Sequence, residues 1–157
     1  MASGDELRLA MRRFPSGIAV VTVDDDGRKL GLTVGSLVSL SLEPPLVGIS
    51  IGLDSSLHAP LHRAGRFVAS LLAGDQAALA QHFARSVPPI ALWAGVPTRK
   101  SALPEPLLDG ALAWLECRIV CDCWAGDHTF YVAELLSIQL GRVAEGLVYR
   151  DGGYHSS

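Results

Sequence analysis

With 157 residues, 49% of them hydrophobic and 18% charged, the chain has the composition of one globular domain able to bury about two-thirds of its unfolded surface. The net charge of -3, with Lys and Arg gathered only at Arg12-Arg13 and Arg99-Lys100, argues against a nucleic-acid partner, which needs a basic stripe. No apolar run reaches the ~20 residues of a membrane helix, no targeting segment is evident, and three closely placed cysteines make no disulfide framework. The expectation is a cytoplasmic protein, one domain over 1–157, without membrane contact, whose rather apolar composition points to an oligomer interface.

Along the chain, Ser3 to Glu6 has the S-x-x-E form of a helix capping box. Leu7, Met11 and Phe14 follow at helical spacing until Pro15 to Gly17 stop the run. Ile18 to Val23 reads as a β-branched strand, Asp24 to Gly27 as a turn, and Lys29 to Leu42 as the returning strand of a hairpin. Leu46 to Ile51 is a third strand. Ser55 or Ser56 can cap a short helix ending near Gly65, and Arg66 to Leu72 is a fourth strand. Asp75 is expected to cap a second helix, with Leu79, His82 and Phe83 on one face. Ser86 to Gly110 carries five prolines and no period, so it reads as a long loop of the lid or binding kind. Two long strands from Leu112 to Gly141 meet at Ala125-Gly126-Asp127, and Leu147 to Tyr149 is a last short strand. The sum is a mostly β (α+β) chain forming a small barrel with a few peripheral helices.

Several chemistries are set aside by their motifs. Cys117, Cys121 and Cys123 are expected on one strand face as core thiols, without the fourth ligand and converging turn that a metal site needs. Gly35-Ser36 lacks the second glycine of a nucleophile elbow. There is no Walker motif and no G-x-G-x-x-G. Three places remain. Gly31 to Ser41 interrupts an apolar strand with Thr33, Gly35, Ser36, Ser39 and Ser41. Asp54-Ser55-Ser56-Leu57-His58 is either a plain helix cap or, through hydroxyls and backbone N–H groups, an anion site. Gly126-Asp127-His128 is either a solvated turn or a functional one.

Three successive segments, Phe14-Pro15-Ser16-Gly17-Ile18-Ala19-Val20-Val21-Thr22, Gly31-Leu32-Thr33-Val34-Gly35-Ser36 and Ser39-Leu40-Ser41-Leu42-Glu43-Pro44-Pro45-Leu46, resemble the flavin reductase family, the small reductase components of two-component flavin-dependent monooxygenases. The resemblance continues through Gly65-Arg66-Phe67, Gln76 to Leu79, Phe83-Ala84, Leu112 to Cys117, Gly126-Asp127-His128, Leu147-Val148-Tyr149 and Gly153-Tyr154. It implies an FMN-binding split barrel working as a homodimer. Thr33, Val34, Gly35, Ser36 and Ser39 would line the isoalloxazine of FMN or FAD, where a glycine permits close approach. Gly35 stands where the family commonly has Ser or Asn. Asp54, Ser55 and Ser56 fall on the family's phosphate-side segment, Phe83 and Arg85 on the helix end over the ribityl or phosphate, and Tyr154 on the cofactor side. His128 falls on the histidine at the nicotinamide end, the one catalytic residue implied, and no metal is implied. The activity implied is hydride transfer from NADH or NADPH to the flavin, with reduced flavin passed to a separate oxygenase component. Two alternatives stay open: a split-barrel protein that uses bound flavin on an organic substrate, and a non-catalytic dimeric module.

Overall fold

The computed structural model describes residues 1–85 and 87–157; Ser86, the first residue of the expected long loop, lies outside the described residues. The molecule is built on a seven-stranded antiparallel sheet in the order β3-β2-β6-β9-β10-β5-β4. Its strands are β2 (Ala19–Asp25), β3 (Arg28–Val34), β4 (Val38–Leu42), β5 (Pro45–Gly52), β6 (Arg66–Leu71), β9 (Ala113–Ala125) and β10 (His128–Leu140). A small sheet pairs β1 (Ser16–Gly17) with β11 (Leu147–Arg150) and β12 (Gly153–Ser156), and β7 (Thr98–Arg99) pairs with β8 (Leu107–Leu108). Among the described residues there are four short helices: α1 (Gly4–Met11), α2 (His58–Ala64), α3 (Ala77–Ala84) and α4 (Pro89–Leu92). None is long and apolar enough to cross a membrane.

The expected first hairpin forms as β2–β3. Asp26 and Gly27 both take positive φ, 53° and 90°, the twist that a two-residue hairpin loop requires. Asp24 fixes the loop by accepting from the Gly27 N–H at 2.6 Å. The capping box also forms: Ser3 Oγ accepts from the Glu6 N–H, and a Glu6 carboxylate oxygen accepts from the Ser3 N–H at 2.7 Å.

The single strand expected from Lys29 to Leu42 is two. β3 ends at Val34, opposite Ala19, and β4 begins at Val38, opposite Gly48 on β5. These are the two edges of the sheet, which would lie about 29 Å apart if seven strands at 4.8 Å spacing were flat. The chain from Val34 to Val38 can span at most about 14 Å. The sheet therefore curls until its edges meet at the corner formed by Gly35, Ser36 and Leu37. Inside the curl, Val21, Val23, Ile49, Ile51, Leu57, Leu61, Phe67, Ala69 and Tyr131 form the main core. A second cluster joins Ile18, Val20 and Leu72 to Ala80 and Phe83 of α3 and Leu92 of α4.

Four further expectations are corrected. Ser55 and Ser56 are not the cap of α2, whose N-cap is Leu57 without a side-chain bond; Ser55 Oγ instead accepts from the Leu57 N–H at 3.2 Å, tightening the approach. Asp75 is not the cap of α3 either. Arg142 takes its carboxylate and holds its pKa below the ordinary value, while Gln76 sits at the N-cap. The segment after Arg85 is a folded strap rather than a loop. It carries α4, β7 and β8 and is tied down by Trp93 Nε1 on the Lys29 carbonyl (2.9 Å), Thr22 Oγ1 on the Pro106 carbonyl (2.7 Å) and Gln76 Nε2 on the Asp109 carbonyl (2.8 Å). The partners of these anchors on β2, β3 and the start of α3 lie far from the strap in sequence, so no local period announces them. Lastly, the three cysteines do not share a face. The pairing skips Val120, since Cys121 faces Val132 while Ile119 faces Ala133. This bulge turns Cys121 and Cys123 outward and leaves Cys117 in the core, where burial pushes its thiol up to about 12.

The expected stop of α2 at Gly65 is present, with Gly65 at φ 68°. A Cβ there meets nothing within 4 Å, so Gly65→Ala tests backbone strain alone. It should cost about 1–2 kcal/mol, or about 2–8 °C in Tm by thermal denaturation; an unchanged Tm would contradict the left-handed cap.

Candidate functional site

The C-terminal half of β5 gathers the three places singled out in the sequence. Ser36 Oγ accepts from the Ser50 N–H at 3.0 Å and donates to the Ser50 carbonyl at 3.1 Å, latching the corner onto β5. Two residues on, and on the same face, Gly52 lies opposite His128. The separation along the strand is about 7 Å. The Leu53 N–H then donates to the Asp127 carbonyl, so the turn Gly126-Asp127-His128 and the segment Asp54-Ser55-Ser56 lie side by side. A Cβ on Gly52 would stand 3.1 Å from Asp54 Oδ1 and 3.7 Å from His128 Nε2, which places carboxylate and imidazole around one bare backbone position.

His128 Nδ1 is 2.7 Å from Asp127 Oδ1. A carboxylate accepts, so Nδ1 carries the proton and Nε2 is presented outward. The same bond holds the Asp127 carboxyl below its ordinary pKa. His128 remains half exposed. Behind it, Thr129 Oγ1 lies 2.8 Å from His58 Nε2, and the Tyr131 hydroxyl lies 3.4 Å from the same nitrogen. These contacts tie the start of α2 to β10 and keep the Asp54–Leu57 segment against the His128 strand. Burial raises the Tyr131 pKa.

From Asp54 the site opens into a cavity of about 610 Å³. Four segments wall it: Arg28, Leu30, Gly31 and Leu32 of β3; Asp54 to Leu57; Phe83, Ala84 and Arg85 at the end of α3; and Val87, Pro88, Pro89 and Leu92 of the strap. Five of the residues read from sequence therefore share one cavity: Asp54, Ser55, Ser56, Phe83 and Arg85. His128 stands at its Asp54 rim. Thr33, Val34, Gly35, Ser36, Ser39 and Tyr154 do not line it. Val34 is buried in the main core, and Ser39 is exposed on β4. Tyr154 stacks edge-on to Tyr149 in the small sheet, whose Ser16 touches Gly35.

The hydroxyls expected as ring donors are partly spent. Thr33 Oγ1 donates to the Ala80 carbonyl at 2.7 Å, joining β3 to α3, and the Ser36 hydroxyl proton goes to Ser50. The N–H groups of Gly35, Ser36 and Leu37 make no hydrogen bond among the described residues, in a corner that stays partly open to solvent. Three adjacent donors on a fixed backbone suit a ligand edge carrying carbonyl oxygens or developing negative charge.

Gly31 and Arg28 escaped the sequence reading. A Cβ at Gly31 would fall 2.8 Å from the Phe83 ring, so only glycine lets that ring close over β3. A lone glycine inside an otherwise apolar strand was the available signal. Arg28 read as an ordinary hairpin flank, and its place in the cavity depends on α3 and the strap arriving from more than 50 residues away.

The family model described as "Flavin reductase like domain" matches residues 11–157. The reductase component of 4-hydroxyphenylacetate 3-monooxygenase from Thermus thermophilus is 37% identical over 145 residues, covering 92% of this chain and 91% of its own. An NADH-dependent flavin reductase from a Rhodococcus species is 38% identical over 152 residues, covering 93% and 77%. Among solved structures, the NADH:FAD oxidoreductase of Streptomyces globisporus in complex with NAD and FAD fragments superposes with a TM-score of 0.91 at 32% identity, over 98% of this chain and 92% of that one.

Proposed function

The chain belongs to the flavin reductase family, and from that premise we propose that it is an NADH-dependent flavin reductase that reduces FMN or FAD and supplies the reduced flavin to a separate monooxygenase component. The observation that carries this reading is the convergence on β5 of the unpaired N–H corner, His128 and the cavity. The flavin ring would lie along Thr33 to Ser39, with the N–H groups of Gly35, Ser36 and Leu37 toward its pyrimidine edge. His128 faces the nicotinamide side, and Tyr154 supports the corner through the small sheet. Ser55, Ser56, Phe83 and Arg85 take the ribityl and phosphate end. When bound, the flavin and nicotinamide supply the hydride chemistry themselves, so the protein needs no nucleophile or metal. Its own work is to align the two rings, to stabilise negative charge at the N–H corner, and to keep His128 Nε2 oriented through the Asp127 carboxylate. The test is replacement of Gly35. Gly35→Val puts a branched side chain beside Ser16, whose Cβ is 3.4 Å from the position a Cβ would take. Flavin affinity should fall tenfold or more, about 1.4 kcal/mol, with Tm within a few degrees of wild type; unaltered flavin titrations would remove this corner from the site.

The curled sheet is read as a split barrel, in one domain over 1–157, and the working unit as a homodimer in the cytoplasm. Leu7, Leu9, Met11 and Phe14 around α1, Leu40 and Leu42 on β4, and Leu136, Ile138 and Leu140 on β10 are all exposed, more apolar surface than a lone domain ordinarily leaves uncovered. α1 buries none of its residues within its own chain. Light scattering should give twice the chain mass; a monomer that turns over flavin would contradict the dimer.

A further inference from the structure

We propose that Cys121 and Cys123 are a peroxide-sensitive pair, oxidised to an intramolecular disulfide that slows the protein's own use of NADH; the source of the oxidant and the loss of turnover rest on the flavin reductase reading. Both thiols are free and exposed, near the turn end of the β9–β10 hairpin. They stand one residue apart on β9, opposite Val132 and Phe130, and point away from the core, while Asp122 between them lies opposite the buried Tyr131. Residues two apart on a strand have Cα atoms about 6.6 Å apart, just inside the ~4.4–6.8 Å that a disulfide spans. The bulge supplies slack to close the pair: Val120, next to Cys121, has no partner on β10, so Cys121 can move with little loss of pairing. Cys117 is the internal contrast, buried in the core with its thiol pushed up to about 12. O2 that meets reduced flavin released from the protein takes two electrons and two protons, one proton from the flavin and one from solvent, and becomes hydrogen peroxide. One thiol of the pair, as thiolate, attacks a peroxide oxygen, forming a sulfenic acid and releasing hydroxide; the second thiol displaces the sulfenic oxygen as water and closes the S–S bond. In sum the two thiols lose two electrons and two protons, and peroxide becomes two waters. The closed pair draws in β9 beside Phe130, the partner of Cys123, two residues from His128. Trp124 Nε1 donates to the Gly126 carbonyl at 2.5 Å, which carries that pull into the Gly126-Asp127-His128 turn.

The experiment treats pre-reduced wild type, C121S, C123S and the double variant with hydrogen peroxide in the absence of flavin and NADH, removes the peroxide with catalase, and compares intact mass, free-thiol count and NADH oxidation with added FMN or FAD. Wild type should lose two hydrogens in mass and two of its three thiols, with no disulfide-linked dimer on a non-reducing gel. Its kcat/KM for NADH should fall about fivefold or more, with flavin affinity kept within a few-fold and full recovery after dithiothreitol. Each single variant should stop at a sulfenic acid, gaining one oxygen and trapped by dimedone, and the double variant should keep its rate through the treatment. Three thiols left in treated wild type, a disulfide joining two chains, or a closed pair with unchanged NADH kinetics would overturn the proposal. Failure of untreated wild type to oxidise NADH with either flavin would instead overturn the flavin reductase reading, and the mass and thiol count stand apart from it.

Discussion

Arg66→Met should lower stability by about 3 kcal/mol, and the Tm by about 6–12 °C. Arg66, at the start of β6, holds Glu105 of the strap through Nε at 2.6 Å and a second nitrogen at 3.3 Å, and also reaches Glu116 at 2.9 Å. Glu105 is 1% exposed, so removing the guanidinium leaves a carboxylate buried without its cation. Arg66 keeps about a third of its side chain in water, which places the cost at the low end of the ~3–5 kcal/mol range for broken buried pairs. The double variant Arg66→Met/Glu105→Leu should recover most of the loss, since it removes both charges together. Urea or thermal unfolding checks both. A single-variant cost under 1 kcal/mol would mean that the strap is held by its other anchors alone.

His128→Ala should reduce NADH efficiency five- to hundred-fold, the range expected for losing one hydrogen-bonding or stacking contact of about 1–3 kcal/mol. The side chain is half exposed and, among the described residues, bonds only to the neighbouring, fully solvated Asp127, so stability should stay within about ±0.5 kcal/mol. Flavin affinity should stay within a few-fold, because the unpaired N–H corner and the cavity do not depend on the imidazole. Asp127→Asn separates positioning from contact. It keeps the ring and loses the carboxylate that fixes the Nδ1 proton, so it should lower the rate of reduction without the full loss. Stopped-flow reduction of the flavin-loaded variants by NADH decides it; wild-type rates at all NADH concentrations would make Gly126-Asp127-His128 a turn and nothing more.

Local signals in the sequence were reliable wherever local chemistry decides the structure. The Ser3–Glu6 capping box, the Asp26-Gly27 hairpin and the Gly65 stop each depend on residues within a few positions, and each forms as expected. Where distant partners decide, the sequence was silent. β3 and β4 read as one strand because Gly35 to Leu37 is continuous in pattern; only the pairing of β4 with β5 shows that the chain has changed edges. Asp75 had the type of a helix cap, but Arg142 takes its carboxylate from 67 residues away. The strap looked like a loop because its order comes from Thr22, Lys29, Arg66 and Gln76, none of which lies in it. At the site, Asp54, Ser55, Ser56, Phe83 and Arg85 were legible and do meet in one cavity. Hydroxyls and backbone N–H groups were both expected as donors at the corner; Thr33 and Ser36 spend their hydroxyls on backbone carbonyls, while the N–H groups of Gly35, Ser36 and Leu37 make no hydrogen bond among the described residues, and no sequence pattern marks them, since every residue but proline carries one.

Steady-state oxidation of NADH, followed by its absorbance with free FMN, FAD and riboflavin added in turn and no organic substrate present, tests the central claim most directly. Many turnovers per protein chain with at least one flavin, and reduced flavin recoverable in solution under anaerobic conditions, are the predicted result. Protein that binds flavin yet consumes no NADH with any of the three would contradict it.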